Sequence, residues 1–149
     1  MFAIYLCAIP MCIADCKSHR IPNIYLMVMF YVICCERVFR GVGSIEFLTL
    51  CALSLVGLNV IIRIGMGDVK LIFLICLALN LDRFSQLLTL LTAVSLVALA
   101  TIVLHSVRAG QIPVTIALAP SIFIGTWLYL GARNTPLLQE YADALVNSW

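Results

Sequence analysis

A chain of 149 residues that is 64% hydrophobic and only 11% charged cannot clothe a globule in water, where about 25% of residues are ordinarily charged. The mean hydropathy of +1.13 points instead to an integral membrane protein. A net charge of +2 without a basic run argues against nucleic acid as a partner.

The first apolar run, Phe2–Ala14, lacks a positively charged flank and is followed by no small-x-small site. It is expected to stay in place as a first helix and not to be removed as a signal peptide. Five more runs follow: Ile24–Cys35, Phe47–Ile62, Val69–Leu81, Leu87–Leu104 and Ile112–Leu130. Backbone in lipid must satisfy its own N–H and C=O groups, so each run that spans must be helical. Several runs fall short of the roughly 17–20 residues that a crossing needs. Their helices are therefore expected to extend into the flanking polar residues. The expected fold is all-α: a polytopic membrane protein of about six transmembrane helices. One membrane-embedded domain covers 1–149, with 132–149 as a mildly amphipathic tail that can lie on the membrane surface.

Basic residues lean towards one side. The breaks after the first, third and fifth runs carry Lys17, Arg20, Arg63, Lys70 and Arg108; the other side carries Arg37, Arg40, Arg83 and Arg133. That small excess places the first group in the cytoplasm. Seven cysteines, an odd number lying mostly within apolar runs, read as small hydrophobes and not as a disulfide framework. Cys12, Cys16 and His19 lack a fourth ligand and a zinc spacing, so no metal is expected. His105 reads as an interfacial histidine, and Asn59 and Asn80 as interhelical hydrogen-bond formers.

The chemistry sits in two of the breaks. The first, "ADCKSHRIPN", opens with Asp15, and the third contains "GMGDVK" with Asp68. Two apolar runs separate them, so two crossings return the chain to the same face, whatever the absolute orientation. Each aspartate alone reads as an interfacial residue or a helix N-cap. A pair on one face can do more. Two nearby carboxylates cannot both ionise easily, so one keeps a proton while the other draws one from water. Gly65 and Gly67 let backbone approach without a side chain in the way. Pro22 biases Ile21 towards an extended form, and Asn23 follows it. Lys70 reads as a headgroup anchor or as a group that favours the ionised form of Asp68. By the helix dipole, Asp68 ahead of run four is the resting base, and Asp15 after run one the resting acid.

These residues carry a resemblance. "GMGDVKL" resembles the Gly-x-Gly-Asp-x-Lys motif of type IV prepilin peptidases, which are membrane aspartic proteases. "DCKSHRIPN" is similar to their first motif, and "IPVTIALAPSIFIG" (Ile112–Gly125) to their final segment. The motifs occur in the family's order across almost the whole chain. The resemblance implies a dyad of Asp15 and Asp68 that cuts the short basic leader of prepilins or pseudopilins, after a glycine. It implies a multi-pass protein of the bacterial inner (cytoplasmic) membrane acting at the cytoplasmic face, with no cofactor. Its partners are the prepilin or pseudopilin and membrane lipid, and a homo-oligomer is compatible with it. Longer relatives carry an N-terminal part with Cys-x-x-Cys pairs and also methylate the new N-terminus. This sequence contains no Cys-x-x-Cys and is expected to act as a peptidase alone. The rival from another class is a membrane transporter or a pilus or secretion scaffold that uses the two aspartates as an ion or proton site. An intramembrane protease of the presenilin kind shares Gly-x-Gly-Asp, but its Tyr-Asp and Pro-Ala-Leu motifs are missing.

Overall fold

The structure, a computed structural model, describes residues 2–18, 21–41, 43–62, 65–110 and 117–134. Within these there are six helices and no strand: α1 (Phe2–Ser18), α2 (Asn23–Arg40), α3 (Ile45–Ile62), α4 (Met66–Leu79), α5 (Phe84–Ala109) and α6 (Ala119–Asn134). The all-α expectation holds for these residues. His19, Arg20, Arg63, residues 111–116 and the tail from 135 lie outside them. Helices α1, α2 and α5 do run past their apolar stretches into polar flanks, since a helix keeps its backbone bonds wherever the chain continues. The sixth begins later than its apolar run does. Leu118 supplies its first carbonyl acceptor, to the N–H of Ile122, and Pro120 falls in its first turn, where a missing N–H costs nothing.

Helix α4 is central. It packs against α1, α2, α3 and α6 and buries Val69, Leu71, Ile72, Leu74, Ile75, Cys76, Ala78 and Leu79. Apolar residues on nearly every side leave it no polar face to turn outwards. Its end is set by Asn80, which adopts a left-handed conformation at φ 53. The Asn80 N–H bonds back to the Leu77 carbonyl and the Leu81 N–H to that of Cys76, a Schellman closure for which Asn suits nearly as well as Gly. Asn80 thus has a local backbone role at the end of α4, apart from the interhelical one expected of its side chain. Arg37 of α2 donates to the carbonyl of Ala78, placing a cation at the negative end of the α4 dipole.

Helices α1 and α6 run antiparallel. Tyr5 stacks on Trp127 with ring centroids 6.2 Å apart, while ten residues further along α1, Asp15 meets Ala119 at the start of α6. Helix α5 lies chiefly on α6. Their backbones approach closely at Gly125, where a Cβ would stand 2.7 Å from Val94 Cα. Nearby, the hydroxyls of Thr101 and Ser121 lie 3.4 Å apart across the same interface. Among the described residues, by length and composition, only Phe84–Arg108 qualifies to cross a membrane; the apolar helix Ile45–Ile61 is shorter. The outward faces nevertheless carry large apolar side chains, among them Ile9, Phe39, Val60, Val107 and Leu128.

Candidate functional site

Asp15 lies in the last turn of α1, one residue beyond its apolar run, and only 4% of its surface is exposed. A carboxylate so enclosed needs a donor. It has one in the N–H of Ala119, which donates to Oδ2 at 2.8 Å. The C-terminus of its own helix is the unfavourable end for a negative charge, but the N-terminus of α6 is the favourable one. Asp15 therefore acts as the N-terminal cap of a helix 104 positions away in sequence.

Asp68 lies in the first turn of α4, ahead of the apolar run Val69–Leu81. Gly65 precedes the helix, and its carbonyl accepts the N–H groups of Asp68 and Val69 at 3.0 and 3.2 Å. With φ −56, Gly65 is in a conformation open to any residue. Space is what favours glycine there: a Cβ would stand 3.0 Å from Asp68 Oδ2 and push that carboxylate aside by a few tenths of an ångström. Gly67 is already helical, and its Cβ would meet Ile21 at an ordinary 3.5 Å. Burial, and secondarily the charge of Asp15, push the Asp68 carboxyl up from 3.8 to about 6. The dipole of α4 acts in the opposite sense and is outweighed. Asp68 is thus easier to protonate than an ordinary carboxyl, despite the helix dipole from which the sequence reading makes it the resting base. Lys70 stands exposed at the rim and does not offset these two causes.

The two aspartates line one cleft of about 350 Å³, together with Ile21, Asn23, Gly65, Met66, Gly67 and Lys70. That is many times the roughly 30 Å³ of a water molecule. The ends of α1 and α4 thus bring both predicted carboxylates and both predicted glycines to one place, with Asn23 and Lys70 at its edge. Pro22 does not line this cleft. With φ −62 and ψ 132 it precedes α2, its carbonyl accepting the N–H of Tyr25 at 3.1 Å. A larger apolar groove of about 630 Å³ runs on between α2, α3 and α4 and shares Asn23, Met66 and Lys70 with the cleft.

Sequence reasoning missed Ala119. Its side chain carries no chemistry, and its contribution is a backbone N–H; the only hint is the Ala-Pro that opens a helix. All seven cysteines are free thiols. Among the described residues no group of three His, Cys, Asp or Glu could hold a metal; His19 lies outside them. Comparison with models of protein families, with curated proteins and with solved structures finds no match.

Proposed function

We propose that the chain is a polytopic membrane aspartic endopeptidase that removes the short basic leader of type IV prepilins or prepilin-like proteins at the cytoplasmic face of the bacterial inner membrane. The observation that carries this reading is the meeting of Asp15 and Asp68 in one cleft, with Asp68 poised to hold a proton. The six-span arrangement is part of the proposal. It is supported by the apolar outward faces of α1, α2, α3, α5 and α6, which in water would form a surface far larger than soluble monomers tolerate.

The chemistry follows from the pair. Ionised Asp15 takes a proton from a water molecule as its oxygen bonds to the peptide carbon. Protonated Asp68 gives its proton to the carbonyl oxygen, so no free oxyanion forms. On collapse the C–N bond breaks. Asp15 passes its proton to the departing amine, and the hydroxyl of the new acid returns one to Asp68. A carrier or scaffold would not require the two carboxylates to meet in one cleft beside a pair of glycines.

Co-expression with a prepilin tests this by gel shift, with the abundance of each variant checked by immunoblot. Asp15→Asn and Asp68→Asn are each expected to reduce leader cleavage by about 10²–10⁴-fold. The double variant should be no worse than either, since neither half of the pair completes the proton transfers alone. Wild-type processing by either variant at equal abundance would remove that residue from the mechanism and favour the carrier or scaffold.

A further inference from the structure

We infer that the first N–H of α6 is part of the proteolytic device: Ala119 is a positioning residue that holds the Asp15 carboxylate through its backbone, so α6 sets the base. This rests on the peptidase reading above and adds to it a residue without side-chain chemistry.

Three observations carry it. The N–H of Ala119 donates to Asp15 Oδ2 at 2.8 Å, with both residues buried. An N–H in the first turn of a helix has no intrahelical acceptor, and burial removes water as a substitute. The next residue, Pro120, has no N–H at all, so Ala119 is the leading donor at this end. The hydrogen bond engages one oxygen of Asp15 and leaves the other to receive the proton of the attacking water. A carboxylate at the tip of a helix would otherwise sample several rotamers; one fixed by a neighbouring helix stays aimed, as proton transfer from a bound water requires.

Helix α6 is itself held rigidly. Gly125 seats it against Val94 of α5, and Tyr5 of α1 stacks on Trp127. The start of α6 is thus fixed relative to the helix that carries Asp15. Simple capping, in which Asp15 stabilises α6 and does nothing for the reaction, predicts a loss of stability with turnover per folded molecule unchanged. The positioning role predicts a loss of turnover.

The experiment removes the N–H with little other change, weakening only the Leu118 carbonyl as the acceptor for Ile122. Replacing Ala119 by lactate, through suppression of a stop codon with the α-hydroxy acid, turns the amide into an ester of the same shape. Ala119→Pro provides the genetic version, and Ala119→Val supplies added bulk with the N–H retained. Each is purified in detergent and assayed on a prepilin, with its active fraction normalised by thermal unfolding. The ester variant is expected to show a kcat reduced about 10–100-fold with KM unchanged, as for loss of one hydrogen bond to a charged group. Ala119→Val is expected to remain closer to wild type than Ala119→Pro. Wild-type kcat in the ester variant would overturn the inference, as would equal losses from Val and Pro. Failure of the wild-type protein to cut any prepilin would instead count against the peptidase reading, so the two failures are distinguishable.

Discussion

Asp68 stabilises the folded chain only while it is protonated. Its carboxyl rises from 3.8 to about 6 on folding because burial, then the Asp15 charge, disfavour the anion. The folded state therefore binds the proton more tightly than the unfolded one. Its contribution is complete below 3.8 and is lost as pH rises to about 6. Asp68→Asn removes the titrating group. The variant is expected to unfold at a higher temperature than wild type at pH 8 but to lose that advantage at pH 4, measured on detergent-solubilised protein. The same difference at both pH values would show that Asp68 carries no ionisation penalty. Both aspartates were legible in the sequence because a carboxylate between apolar runs needs a reason to be there. What surrounds each of them was not: the raised pKa of Asp68 follows chiefly from burial, and Asp15 meets Ala119, 104 positions away, whereas the sequence offers only each residue's own helix.

The helices α5 and α6 are joined by close backbone approach. At Gly125 a Cβ would meet Val94 backbone atoms at 2.7 and 2.9 Å, so the helices must move apart to admit it. Gly125→Val is expected to destabilise the protein by about 1–3 kcal/mol and to reduce cleavage, because the start of α6 moves with it. Gly57, inside α3, has nothing within 4 Å of its Cβ position. Gly57→Ala should be neutral or stabilising by up to about 1 kcal/mol through helix propensity. Thermal unfolding of the two variants decides the matter, and equal losses would contradict the packing account. The helices themselves could be read from the sequence because apolar runs in lipid have few alternatives. Their ends could not. The apolar run from Ile112 continues straight through the point where α6 begins, and only Pro120 marks the first turn. Asn80 likewise reads as one more polar residue in an apolar stretch, although it terminates α4 by adopting a positive φ.

On the scale of the whole molecule, the six-span proposal has a labelling consequence. Cys16, near the end of α1, and Cys35, near the end of α2, are both exposed and fall on opposite sides. Single-cysteine variants should show Cys16 reacting with an impermeant thiol reagent in inverted vesicles, and Cys35 reacting only from the other side or shielded by lipid. Reaction of Cys16 from outside whole cells would invert the orientation and place the cleft on the wrong side for a cytoplasmic leader. The unequal lengths of α4 and α5 reach further. Helix α5 has 26 residues, about 39 Å, while α4 has 14, about 21 Å. A hydrocarbon layer is about 30 Å thick, so under the six-span proposal the central helix falls short of it, while the peripheral one reaches past it only with its polar ends. In that arrangement α4 is walled in by α1, α2, α3 and α6, so its shortfall would be met by those outer helices, tilting or thinning the bilayer around them and bringing water to the carboxylates at its head. A peptidase built as proposed would then sense acyl-chain length: cleavage should be faster in vesicles of 14-carbon lipids than in those of 22-carbon lipids, and a rate indifferent to thickness would mean that the shortness of α4 is not relayed to the lipid.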